Sequence, residues 1–153
     1  MRYGLLIGLS LCASLLSACS QQPSFLGTWK IERVESAPWV EPGTAPDTST
    51  AALYVGKAVV FEAARIDGPA LLACTNPKYT FEEVPAEGLF QGNLAGPNVD
   101  AAAADASARK LGFTQPVHSM MTGCEHDIAF HQRDGTHAAF ALDNMIFWMV
   151  RQP

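Results

Sequence analysis

The chain predicts a mainly β domain, a small antiparallel β-barrel of about seven or eight short strands with one short helix near residues 99–111. Three observations predict it. Short segments of alternating apolar and polar residues recur at roughly even spacing. Clusters of Gly, Pro, Asn and Asp separate them. Only one stretch, 100–111, breaks the pattern with a run of alanines.

The first strand is predicted over Phe25 to Val34, where Trp29, Ile31 and Val34 stand between Lys30, Glu32 and Arg33. Ser36 to Thr50 holds Pro38, Pro42, Pro46 and Gly43 and reads as a loop, because proline removes ladder donors and fixes φ. A loop this long in a compact domain is usually functional or disordered. Leu53 to Glu62 reads as a strand. Asp67-Gly68-Pro69 signals a turn, with Ala70 to Cys74 returning as its partner, and Lys78 to Val84 is a further strand. Pro85 to Asn98 is loop.

Alanine favours helix over Asp100 to Leu111. Asn98 or Asp100 is placed to cap its start, and Gly112 suits the position just past its end. Strands resume at Val117–Met121, Asp127–Gln132, His137–Leu142 and Met145–Arg151. Between the second and third of these, a three-residue loop with Gly135 left-handed would pair Phe130 with Phe140 and Ile128 with Leu142. That register puts both aromatics on one face. Asp143-Asn144 reads as a tight turn. A filled interior with Phe61, Phe81, Phe130, Phe140 and Trp148 in the core would favour a structural role over a binding one, and Met120, Met121, Met145 and Met149 are expected to fill core gaps.

The amino terminus has a different character. Arg2 precedes an apolar run from Gly4 to Leu16, the pattern of a secretory signal peptide. The run ends in Leu16-Ser17-Ala18-Cys19, which resembles the bacterial lipobox. The resemblance implies removal of residues 1–18 and acylation of Cys19. Lipid chains contribute roughly 0.8 kcal/mol per buried methylene, enough for a lasting membrane anchor when several are attached. Ser20 after the cysteine implies the outer membrane, with the domain on its periplasmic face. The alternative is an ordinary signal peptide with Cys19 free. Residues 19–24 then form a tether and 25–153 a single domain.

Arg2 is the only charged side chain in 1–18, which leaves nine Lys and Arg against fifteen Asp and Glu. This acidic balance, without a basic cluster, argues against nucleic acid and against electrostatic docking on anionic lipid. Membrane contact is expected through the lipid alone. After Cys19, two cysteines remain, Cys74 and Cys124. In an oxidising compartment they are expected to form a disulfide closing a loop of about fifty residues, worth on the order of 4 kcal/mol. Two buried free thiols are the other reading.

Phe25-Leu26-Gly27-Thr28-Trp29 resembles the Gly-x-Trp opening of lipocalin-like barrels and of the META-domain family of small bacterial envelope domains. The lipocalin resemblance implies that an arginine after the last strand, here Arg151, lies over Trp29 and helps close the barrel. Such a cation–π contact contributes roughly 0.5–2 kcal/mol. Cys74-Thr75-Asn76 and Thr122-Gly123-Cys124 fit the META-like pattern loosely, with Ala73 where a glycine is usual. The resemblance implies a fold and a compartment rather than an activity.

No catalytic constellation is legible: there is no Gly-x-Ser-x-Gly, His-Glu-x-x-His or phosphate-binding glycine loop. Ser107-Ala108-Arg109-Lys110 fits the Ser-x-x-Lys pattern of penicillin-recognising enzymes, but the rest of that pattern is missing. Adjacent Glu82 and Glu83 face apart on a strand and make no acid/base pair. His126 and His131 likewise face apart. His131 and His137 flank a hairpin and are expected to be exposed. A metal protein using the 118–137 histidines is the minor alternative, and no cofactor or metal is expected. The sequence therefore predicts a non-catalytic binding module for a small apolar ligand or a protein partner, with Trp39 in the Pro-rich loop as the contact. For Trp39 the alternative is a staple pinning that loop. For the whole chain the alternative is a structural or stress-related envelope protein with a filled barrel.

Overall fold

A computed structural model of the chain describes residues 25–95 and 100–153. The fold is mainly β. Nine antiparallel strands form one sheet: β1 (Gly27–Ser36), β2 (Ala58–Phe61), β3 (Arg65–Asp67), β4 (Cys74–Thr75), β5 (Thr80–Val84), β6 (Val117–Met121), β7 (Ala129–Gln132), β8 (His137–Leu142) and β9 (Met145–Arg151). Their order across the sheet is β4-β3-β2-β1-β9-β8-β7-β6-β5. Two helices are added, α1 (Thr48–Tyr54) and α2 (Ala101–Lys110).

The sheet curls. In a flat sheet β2 and β7, four steps apart in this order, would lie about 19 Å from each other at the usual interstrand spacing. Instead Phe61 of β2 meets Phe130 of β7 edge to face, with ring centroids 4.9 Å apart. The enclosed face is filled by Trp29, Ile31, Phe61, Met120, Phe130, Phe140, Phe147 and Met149, all buried. The first and last strands pair, as a barrel requires, with Trp29 opposite Arg151. The curl is nevertheless a half-barrel, because the edge strands β4 and β5 share no ladder. Staples span that gap instead. Cys74 and Cys124 form a disulfide and the Tyr79 hydroxyl donates to the Glu62 carbonyl at 2.8 Å, while the Lys78 N–H, donating to the Thr122 carbonyl at 2.7 Å, extends the β5–β6 ladder beside them.

β9 reads Met-Ile-Phe-Trp-Met and is buried along both faces. Met145, Phe147 and Met149 point inward. Ile146 and Trp148 point outward, under a second apolar layer made by Ala104 and Ala108 of α2 with Leu89, Phe90, Leu94 and Phe113. Trp148 is thus core, but on the outer face rather than inside the curl. Phe81, expected in the core, is 54% exposed on edge strand β5. Among the described residues no strand lies beyond β5 to cover it, and its ring stacks on Phe25 and Tyr79.

Three sequence expectations change. A helix, α1, occupies part of the segment read as loop and then strand. The Asp47 carboxylate caps it by accepting from the Ser49 N–H at 2.9 Å, and Ala51 and Tyr54, three apart on one helix face, are its buried residues. The partner of β2 is β3 at 65–67, reached through a turn in which Glu62 N–H donates to the Arg65 carbonyl; Cys74–Thr75 then pairs with β3. The loop between β7 and β8 keeps the expected register, since His131 faces Ala139 and Gln132 faces Ala138. Its geometry comes from Asp134, however, whose carboxylate accepts from the N–H groups of Thr136 and His137. Gly135 is not among the residues of positive φ. The helix α2 stands as read, with the Asp100 carboxylate accepting from Ala103 N–H and Gly112 at φ +85° just past its end.

Candidate functional site

The turn between β8 and β9 organises an open cleft. Leu142 pairs with Met145, so the loop is the two residues Asp143 and Asn144. Both have positive φ, 48° and 62°, as a type I′ hairpin requires. Asn144 then reaches the Pro-rich segment twice. Its carbonyl accepts from the Ala37 N–H at 3.0 Å, and its side-chain oxygen accepts from the Trp39 indole N–H at 3.2 Å. The indole also packs on Phe90, with centroids 5.5 Å apart.

The half-buried Trp39 borders an open cleft of about 390 Å³ whose other walls include Asn93, His126, Asp127, Ala141 and Asp143. Among the described residues six non-glycine positions have positive φ, and five of them, Phe90, Gln91, Asp127, Asp143 and Asn144, line this cleft or its Trp39 wall. Left-handed backbone at non-glycine residues costs energy and concentrates where a particular side-chain placement is being held. Trp39 thus staples the loop to the turn, and part of it lines the cleft.

His131 departs most from expectation. It is buried at 1% exposure rather than exposed beside the hairpin. Its Nε2 accepts from the Phe90 N–H at 2.8 Å. The neutral ring must then carry its proton on Nδ1, which lies 2.7 Å from Ser119 Oγ and donates to it. Burial pushes its pKa down to about 3. An imidazole that donates to a serine cannot also take that serine's proton, so the pair is a tie and not an activated nucleophile. With both nitrogens engaged, His131 does not join His137, whose ring lies 2.9 Å from the Asp134 carboxylate. His126 lies in the loop before β7, exposed at the Trp39 cleft, rather than on a strand. Among the described residues no group of three His, Cys, Asp or Glu side chains is placed to hold a metal ion. Glu82 and Glu83 are exposed on β5, with Glu83 3.5 Å from His118 across the ladder.

No protein family, curated protein or solved structure matches the chain.

The remaining sequence-predicted positions fall in two groups. Trp29 is fully buried, and Arg151 lies over its ring at 4.5 Å while donating to the Leu26 carbonyl. This is the expected contact where first and last strands meet. Cys74 and Cys124 are joined. Cys19 and the whole signal-like segment lie outside the described residues. Sequence reading missed Trp148 as an electrostatic centre. Its indole N–H donates to Glu35 at 2.8 Å, and the guanidinium groups of Arg33 and Arg133 sit 4.7 and 5.2 Å from its ring. Both arginines are paired, with Glu35 and Asp134. No signal in the linear pattern joins positions 33, 133 and 148.

Proposed function

We propose that this chain is a bacterial envelope lipoprotein, held at the periplasmic face of the outer membrane through lipid on Cys19, whose domain is a non-catalytic binding module working at the Trp39 cleft. One observation carries the site: the inside of the curl is filled by aromatic and methionine side chains, while the cleft beside Trp39 is open. A ligand held inside a barrel needs an unfilled interior. The filled interior therefore favours recognition on the rim, and it speaks against the small apolar ligand considered from sequence.

The tether is tested by fractionation. Wild-type chain should partition with outer membranes and Cys19→Ala with soluble periplasm; equal partitioning of both overturns the lipid anchor. The cleft is tested in cells with a photo-crosslinking residue at position 143, beside it, and at position 135, at the far end of β8. A discrete adduct at 143 and none at 135 is expected.

The same filled interior supports a second reading, a structural or stress-related envelope protein that binds nothing in a pocket. That reading predicts no adduct at either position, together with a loss of envelope integrity on deletion.

A further inference from the structure

We propose that the Trp39 cleft binds a neutral saccharide chain; this rests on the reading that the cleft is the binding surface. The argument runs from what the walls offer. Trp39 supplies an aromatic surface held on two sides, by Phe90 behind it and Asn144 at its indole N–H. A rigid aromatic surface suits the C–H face of a sugar ring and costs little entropy to present. Around it stand planar polar groups that donate to and accept from hydroxyls. The side-chain oxygen of Asn93 is one, since its amide nitrogen is already spent on the Phe90 carbonyl. The side-chain nitrogen of Asn144 and the carboxylates of Asp127 and Asp143 are others.

Charge narrows the class. Two carboxylates and one imidazole, that of His126, line the cleft, and no lysine or arginine does. A phosphate, an acidic peptide or an anionic lipid headgroup would meet like charge there. A purely apolar ligand would strand the carboxylates without water or partner. A polyhydroxylated, uncharged ligand meets neither objection. The cleft is open rather than enclosed, which suits a chain of linked rings lying across it better than one small molecule held inside. The left-handed backbone at 127, 143 and 144 sets where these side chains leave the chain, and the bond to Trp39 holds the Asn144 amide before binding.

The test uses the full chain in a detergent without a sugar headgroup, titrated with chitotetraose, cellotetraose and maltotetraose. Of its three tryptophans, Trp29 and Trp148 are buried at 0% and 1% exposure, so Trp39 reports the cleft by its emission. A saturable emission change with at least one tetrasaccharide is expected. Ala141→Phe, which adds bulk to a cleft wall, should weaken it at least about tenfold, as losing an anchoring contact does. Trp39→Ala, followed by calorimetry with its melting temperature recorded, should abolish binding. No saturable response to any of the three, or a response that survives both variants, overturns the proposal. So does a response to tetralysine alone that collapses with added salt, which would make the cleft a surface for cationic segments. A crosslink at position 143 without saccharide binding removes the saccharide and leaves the binding module; loss of both removes both.

Discussion

His131 shows how much one side chain can hold. It ties the loop at Phe90 to β6 through Ser119, and it can do so only while neutral, because Nε2 must accept from Phe90 N–H. Its folded pKa is about 3, below the ordinary value near 6.5. The unfolded chain therefore binds a proton between these values that the folded chain does not. Stability from this group is complete above about pH 6.5 and is lost as pH falls towards 3. At pH 5 the loss relative to pH 7.5 is about 2 kcal/mol, at 1.36 kcal/mol per pH unit below the unfolded pKa. Urea unfolding at the two pH values measures it. Wild type should lose about that much more than His131→Gln, which should start out less stable at pH 7.5; parallel losses would show that His131 is not the group responsible. Sequence reading placed this histidine on the surface because it flanks a hairpin. Its partners stand 12 and 41 residues away, beyond any local pattern.

At the level of elements, what was legible depended on whether a rule was local. β6, β8 and β9 begin and end where alternation and turn residues put them, and the Phe130–Phe140 pairing follows from one face needing both rings. α1 was missed because Asp47, Ser49 and Thr50 are equally at home in a loop and a cap. β1 hides a bulge at Glu32, where the ladder to β9 slips between Ile31 and Arg33. That extra residue lets both Ile31 and Val34 reach the inner core while Glu35 turns to Trp148. The Asp143-Asn144 turn gives a direct test of element against side chain. Asn144→Ala should cost about 1–2 kcal/mol, from left-handed backbone at an alanine and the lost bond to Trp39. Asn144→Gly restores the backbone freedom and should recover most of that loss in thermal melts. Equal destabilisation by both would assign the effect to the Trp39 tie alone.

For the whole molecule, the sequence supported a mainly β, barrel-like class and a first-to-last strand pairing; the β class and the pairing are present, the barrel as a curled half-barrel. What it could not reveal was where the sheet stays open. That depends on β4 having two residues and β5 having no neighbour beyond it, and a strand's length in a ladder is set by partners rather than by its own residues. Closure therefore falls to staples. Gly123 lies between Thr122 and Cys124 at φ +62°, and a Cβ there would meet Lys78 Cβ at 2.9 Å and its carbonyl at 3.1 Å. Gly123→Ala should therefore destabilise by about 2 kcal/mol or more, from left-handed backbone and the forced shift of the 78–122 contact. The disulfide beside it closes a loop with a sequence separation of 50, and its loss frees the unfolded chain by about 4 kcal/mol in the loop-entropy account. The Cys74→Ser, Cys124→Ser double variant should lose stability approaching that value in urea. The position of the loss is as telling as its size. Hydrogen exchange should quicken first at residues 74–80 and 122–127, on either side of the unladdered gap, while β1, β8 and β9 keep their protection because they are paired on both sides in mid-sheet. Uniform quickening would mean that the edges and the centre open as one unit, and that the half-barrel depends on this one bridge throughout.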